Sequence, residues 1–250
     1  MRFIRRGAFF VTIIAMFLIA IIFGLLPGFA WLVFYMSEDP HPEPKRLIAF
    51  TFMVGMAFGF FTVAIEEVFN GAVAHIGIVE LSILSLLGLA LIEELMKFAA
   101  AHFAVSKSPE FDEPIDAMIY MIVAALGFAT LENIGAIANL PSASTQLIGS
   151  LFPMILETIS FRFIGATLLH TLTSGIVGFY WARGIVLGKV RRYLTVGIVI
   201  ATILHAFFNY LILNYGAAGY SVVFLVAIGF FVLSDFEKLK IQNINLITEK

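Results

Sequence analysis

Glu93 and Glu94 are followed one helical turn later by Lys97, inside the apolar run 83–105, where a bilayer interior disfavours charge. On a helix the Lys97 ammonium reaches either carboxylate, three or four residues away. Lysine then neutralises one glutamate and leaves the other to accept a proton, as a general base must. Three further polar groups interrupt other apolar runs: Glu132 with Asn133, Arg162 with His170, and His205 with Asn209. Two imidazoles and a carboxylate such as Glu132 form a ligand set that suits zinc, with a position left open for water. Asn209, one turn beyond His205 on the same face, is a neutral donor suited to an oxyanion. Arg162, about two turns before His170, is suited to anchor a carboxylate or a substrate carbonyl.

The same residues admit plainer readings. Glu93, Glu94 and Lys97 would also serve as a structural ion-pair knot, although two acids with one base leave surplus charge that packing does not need. A lone histidine or asparagine in an apolar span is commonly an interhelical hydrogen bond. Arg162 would serve as a snorkelling interface anchor. Glu66, Glu67 and Glu157 are expected at helix ends in the headgroup region, and Glu80 near the outer interface. Ser174 and Gly178 have the small-xxx-small spacing of close helix packing.

What must position these groups follows from composition. With 61% hydrophobic residues, 13% charged and a mean hydropathy of +1.01, the 250-residue chain is that of a polytopic membrane protein. About 20 residues per crossing allow seven to eight spans in a single all-α domain, 1–250, a transmembrane helix bundle with little left for a soluble domain. Apolar runs fall at about 8–36, 47–65, 72–105, 115–138, 161–187, 193–213 and 216–233. The first is too long for the apolar part of a signal peptide and is expected to be retained, with Pro27 and Gly28 bending it. Residues 139–160, with Pro141, Pro153 and Glu157, read as an interfacial or re-entrant piece. The pentapeptide Ala64-Ile-Glu-Glu-Val echoes Leu91-Ile-Glu-Glu-Leu without making a repeat.

A net charge of −2 with dispersed basic residues points away from nucleic acid, and the absence of cysteine removes thiolate chemistry, so a metal would need histidine and carboxylate ligands. With the N-terminus outside, Lys45, Arg46, Lys107, Arg183, Lys189, Arg191, Arg192, Lys238, Lys240 and Lys250 all fall in the cytoplasm, against Arg2, Arg5 and Arg6 outside. In that orientation Glu132 and His170 lie in the outer half and Glu93 and His205 near mid-depth, so the four helices can meet.

The segments Ile92-Glu-Glu-Leu-Met-Lys-Phe, Phe111-Asp-Glu-Pro-Ile-Asp-Ala-Met-Ile-Tyr, Gly127-Phe-Ala-Thr-Leu-Glu-Asn-Ile, His170 with Ser174 and Gly178, and Leu204-His-Ala-Phe-Phe-Asn resemble, in that order, the PrsW family of intramembrane proteases. Pro27-Gly-Phe-Ala, Asp39 and Glu43-Pro44 resemble its first helix and loop, while Ala117 stands where glycine is expected. PrsW proteins are distantly similar to the CAAX prenyl endopeptidases. The resemblance implies hydrolysis of a peptide bond in a membrane-anchored protein, in or beside the bilayer of a prokaryotic plasma membrane. By position, Glu93 and Glu94 match the family's double glutamate, Lys97 its basic residue, Glu132 the acid of the F-x-x-x-E pattern, and His170 and His205 its two histidines, with Asn209 following the second.

The chemistry expected is water activated by Glu93 or Glu94, attacking a carbonyl polarised by zinc or by histidine and asparagine donors. No H-E-x-x-H, no G-x-S-G and no intramembrane aspartate pair supports a rival proteolytic chemistry. From other classes, a proton- or cation-coupled transporter would use the same Glu, His and Lys as a relay but is expected to show broken helices in two matching halves. A non-catalytic membrane chaperone would explain apolar grooves but not the coincidence of acids and histidines.

Overall fold

The computed structural model describes residues 2–37, 41–140, 148–216 and 219–248, with side chains described between 14 and 241 except at 148–150. They form eight helices: α1 (Arg2–Met36), α2 (Lys45–His75), α3 (Ile83–Val105), α4 (Asp116–Ala138), α5 (Ile148–Ile164), α6 (Ala166–Val186), α7 (Val190–Tyr215) and α8 (Tyr220–Thr248).

α4 is the axis of the bundle. All its residues up to Thr130 are buried, as are 14 of the first 17 in α6 by a similar logic of small and apolar side chains all round. A helix without a polar face has no side to offer water and is enclosed by its neighbours. Two glycines let the α2 and α4 backbones touch: a Cβ on Gly55 would run into the Ala124 carbonyl, and one on Gly127 into the Phe52 carbonyl. Gly178 does the same for α6, where a Cβ would stand 2.5 Å from Met118 Cα. The small-xxx-small reading of Gly178 therefore holds. Lipid-facing surface is supplied by α1, α2 and α8 through exposed residues such as Val33, Phe60, Phe61, Phe230 and Phe231.

Paired contacts give the helix directions. Gly55 and Gly59 of α2 meet Ala124 and Leu131 of α4, so these two run parallel, whereas Phe69 and Phe58 of α2 meet Gly88 and Phe103 of α3, which runs against them. Successive helices alternate in this way except α5 and α6. α5 descends beside α1, from Phe152 against Phe23 to Phe163 against Trp31, and continues into α6 across a break at Gly165.

Among the described residues five stretches are long and apolar enough to cross a bilayer by length and composition, fewer than the seven to eight spans expected. α3 is not among them, since it carries Glu93, Glu94 and Lys97, yet it packs between α2 and α7. Two boundaries differ from the apolar runs. α2 continues to His75, because Glu66, Glu67 and Asn70 are accommodated within it, and the run 72–105 is cut by a turn at 76–82 with Gly77 and Leu81 at positive φ. Glu80 is exposed in that turn. Of the stretch expected to be interfacial, 139–140 form the turn that ends α4, 141–147 lies outside the described residues, and 148–160 belongs to α5.

Lys45, Arg46, Lys107, Arg183, Lys189, Arg191 and Arg192 gather at the end of the bundle where α4 begins, which the positive-inside rule assigns to the cytoplasm. Because the chain has no cysteine, single Glu80→Cys and Lys189→Cys variants report sidedness directly. In intact cells a membrane-impermeant maleimide is expected to label Glu80→Cys and to reach Lys189→Cys only after permeabilisation; the opposite pattern inverts the orientation. For packing, Gly127→Ala is expected to destabilise the protein in detergent by about 1–3 kcal/mol or more through overpacking against the Phe52 carbonyl. Gly135→Ala, at a position with open space beside it, is the matched control and should melt at or above the parent temperature.

Candidate active site

Each of the polar groups noted in the sequence comes from a different helix, and the bundle brings them together. Glu93, Glu94 and Lys97 sit midway along α3, Glu132 in the last third of α4, Arg162 at the end of α5, His170 in the second turn of α6 and His205 in the middle of α7. Lys97 is fully buried, and its ammonium donates to Glu94 Oε1 at 2.6 Å and to His170 Nδ1 at 3.0 Å. It also lies 5.6 Å from the centre of the Phe128 ring.

Glu94 is committed to structure. Its Oε1 accepts from Lys97, from Thr173 Oγ1 of α6 at 3.0 Å and from His205 Nδ1 of α7 at 2.8 Å. The neighbouring carboxylate is different. Glu93 Oε2 makes no hydrogen bond, yet stands 3.7 Å from His170 Nδ1, 3.6 Å from His205 Nε2 and 4.0 Å from Lys97 Nζ. The two imidazole rings are perpendicular, with centroids 5.2 Å apart.

The hydrogen-bond network assigns both histidine tautomers. His205 gives its Nδ1 proton to Glu94, leaving the Nε2 lone pair facing Glu93. His170 gives its Nε2 proton to Glu132 Oε2 at 3.0 Å, leaving Nδ1 on the same side. Glu132 is held in turn by Arg162 Nη2 at 2.9 Å, and Arg162 Nε donates to Asn133 Oδ1. Asn133 closes the chain by donating to Thr167 Oγ1 at 3.1 Å and to the Gly24 carbonyl at 3.4 Å.

This arrangement places the expected residues, with two changes of position. Glu132, read as a ligand beside the histidines, stands behind His170, and the carboxylate next to both imidazoles is Glu93. Arg162 is neither a free anchor nor a snorkelling side chain; it clamps Glu132 and Asn133. Asn209 lies one turn beyond His205, half-buried, with no hydrogen bond to a described residue. Thr173 is not singled out by the sequence, its only signal being its place one turn after His170, and Phe128 enters only as the start of the F-x-x-x-E pattern.

The donor set fits a divalent metal. One ligand atom each from Glu93, His170 and His205 all lie within 4.8 Å of one another, and all three residues are buried. Tetrahedral zinc, with bonds of about 2.0–2.1 Å, holds its ligand atoms roughly 3.3 Å apart, close to the two distances from Glu93 Oε2. Both histidines are backed by carboxylates, the arrangement that fixes ring orientation and raises basicity at a metal site. One adjustment is required: Lys97 must release His170 Nδ1, and it can do so while keeping Glu94. Side-chain exposure rises from 0% at Glu94 and Lys97 and 11% at Glu93 to 31% at Glu132 and 23% at Arg162, so access runs past the Glu132–Arg162 pair.

Comparison with known proteins agrees with this geometry. A sequence model described as the PrsW family intramembrane metalloprotease matches residues 43–234, which include all of these side chains. The chain is 31% identical to Protease PrsW of Geobacillus kaustophilus (strain HTA426) over 222 residues, 87% of this chain and 90% of that protein. It is 28% identical to Protease PrsW of Bacillus subtilis (strain 168) over 233 residues, 88% and 95% of the two chains. Against Protease PrsW of Clostridioides difficile (strain 630) it is 28% identical over 202 residues, 79% of each. No solved structure gives a significant match. The buried carboxylate between two carboxylate-backed histidines, carried on a helical membrane bundle, thus belongs to a peptidase of the PrsW family of intramembrane metalloproteases.

Proposed function

We propose that the chain hydrolyses a peptide bond of a membrane-anchored protein at a site reached from the outer half of the bilayer of a prokaryotic plasma membrane, with Glu93 as the general base. The observation that carries this reading is Glu93 Oε2, a buried carboxylate oxygen with no hydrogen-bond donor of its own, standing 3.7 Å from His170 Nδ1 and 3.6 Å from His205 Nε2. Glu94 Oε2 is likewise buried and unpartnered, but its other oxygen is saturated by three donors and serves to hold Lys97, Thr173 and His205.

Water bound among Glu93, His170 and His205 gives a proton to the Glu93 carboxylate as its oxygen attacks the peptide carbon. Asn209, one turn beyond His205 on the same helix face, would donate to the carbonyl oxygen as charge develops there. When the C–N bond breaks, Glu93 returns the proton to the departing nitrogen. Glu132 and Arg162 keep His170 in the required tautomer, and Glu94 does so for His205. Glu93, His170 and His205 are the residues that would hold zinc, which when bound supplies Lewis-acid polarisation of water and carbonyl. The transporter and chaperone alternatives have no comparable observation in their favour.

Glu93→Gln keeps the side-chain shape but removes basicity, so cleavage is expected to fall by roughly two to four decades with folding retained. The assay is purified protein in liposomes with a single-span substrate bearing a soluble outer domain, the new terminus being located by mass. Cleavage that persists in both Glu93→Gln and Glu94→Gln rules out a glutamate base. Lys97→Met leaves Glu94 buried without its cation and should cost about 3–5 kcal/mol as well as activity. In the double variant Lys97→Met with Glu94→Gln, much of the stability but none of the activity should return, because a neutral amide still meets Thr173 and His205. A Lys97→Met protein that melts and cleaves like the parent would contradict the ion-pair assignment.

A further inference from the structure

Two helices that face lipid leave a groove between them. α1 and α2 each pack on α4 rather than on one another, Gly28 beside the Leu126 carbonyl and Gly55 against the Ala124 carbonyl. α1 presents Leu25, Phe29, Leu32 and Met36 to the groove, a single helix face. α2 forms the other wall, running in the opposite direction, with Lys45, Ala49, Met53 and Met56; Ile48 and Phe52, both buried, form the base. The Phe29 and Phe52 rings stack midway, with centroids 5.8 Å apart.

The size of the groove limits what fits it. Its volume is about 380 Å³. Both walls run over 11 residue steps, 25 to 36 and 45 to 56, or roughly 16 Å at 1.5 Å per residue. That is close to half of a hydrocarbon core about 30 Å thick, so the groove is one leaflet deep. A helix about 10–12 Å across would fill roughly 1,300–1,900 Å³ over that length, so the body of a spanning helix is too large for it. An extended hydrocarbon chain is not. Met36, Met53 and Met56 supply flexible thioethers, which adapt to a chain of no fixed shape.

Charge is confined to one end. Lys45 is the only polar side chain of the lining, and it stands at the mouth with Met36, at the end of the bundle assigned to the cytoplasm. Its ammonium is exposed and makes no hydrogen bond or ion pair with a described residue. It is also the first residue of α2, so the positive end of that helix dipole lies at the same mouth. The nearest acid in sequence, Glu43, is engaged by α4, where its carboxylate accepts from the Tyr120 hydroxyl. A cation at headgroup level above an apolar slot one leaflet deep matches the two parts of an anionic phospholipid.

We propose that the α1–α2 groove is a binding site for one anionic phospholipid of the adjoining leaflet, with an acyl chain along Leu25 to Met36 and the phosphate on Lys45. The site is separate from the carboxylates and histidines, and the proposal depends neither on a metal nor on the general base.

The experiment is native mass spectrometry of the full-length protein in detergent, titrated with dioleoylphosphatidylglycerol or with dioleoylphosphatidylcholine, which has the same chains and no net charge. One phosphatidylglycerol per chain is expected to bind in preference to phosphatidylcholine. Lys45→Gln should weaken phosphatidylglycerol about fivefold, the effect of one basic residue at a membrane surface, and leave phosphatidylcholine unchanged. Ala49→Phe, which fills the groove, should weaken both lipids. Lys189→Gln, basic at the same end but outside the groove, and Ala57→Phe, exposed on α2 but outside the groove, should bind like the parent. Equal retention of the two lipids by the parent overturns the proposal, as does the same loss in Lys189→Gln as in Lys45→Gln. Displacement of the lipid by glycerol phosphate would show that no chain is held, and overturns it too. An Ala49→Phe protein that keeps the lipid but cleaves a single-span substrate more slowly assigns the groove to the substrate instead.

Discussion

The Glu94 Oε1 atom is the point from which the rest of the site is hung. It receives a proton donor from its own helix, one from α6 and one from α7, all within 3.0 Å. In a medium without water the His205 Nδ1 proton would otherwise be orphaned and Lys97 would lose its close counter-charge, so the three helices cannot shift against one another without breaking a charge-assisted bond. A buried ion pair of lysine and glutamate is weak evidence for stability, since an apolar pair could fill the same space. Here it is retained with a threonine and a histidine added to it, and the second effect is to leave Glu93, the next residue, without any such obligation. Adjacent residues on a helix point about 100° apart, so one glutamate can face a packed interface while the other faces the imidazoles.

A second network does the same work for α4. Asn133 touches the α1 backbone, Thr167 of α6 and Arg162 of α5, and through Arg162 it steadies Glu132 and then His170. The glycine contacts of α4 with α2 and α6 set the distances that these bonds need. Packing and polar bonding are thus not separable here: the backbone-to-backbone approach at Gly127 and Gly178 lies one to three turns from the residues being positioned.

Much of this was legible in the chain itself, because charge inside an apolar run is a signal that lipid makes unambiguous. Glu93, Glu94, Lys97, Glu132, His170 and His205 were identified on that basis, and so was the helical bundle. What was not legible depended on rotation and on helix ends. Which of three glutamates stands beside both imidazoles is decided by how α3 and α4 are turned, and periodicity carries no such information in helices that are apolar all round. Glu66 reads as lying at a helix end because the apolar run stops there, whereas α2 continues to His75 with Glu66 and Asn70 half-buried and Glu67 exposed. The role of Arg162 was hidden because α5 joins α6 across Gly165 rather than ending in a loop, which brings the guanidinium back against α4.

The order of the parts along the chain has a consequence for synthesis. Glu93, Glu94, Lys97 and Glu132 all belong to the first 132 residues, while Arg162, His170 and His205 are made afterwards. When α4 leaves the ribosome and partitions into the bilayer, the partners of Glu132 are still 30 and 38 residues away. The growing chain therefore holds an unfinished and inert half-site, and α7, the next-to-last helix, supplies its final imidazole. A membrane in which many nascent spans lie side by side is in this way shielded from a hydrolase that would act before its own synthesis was complete.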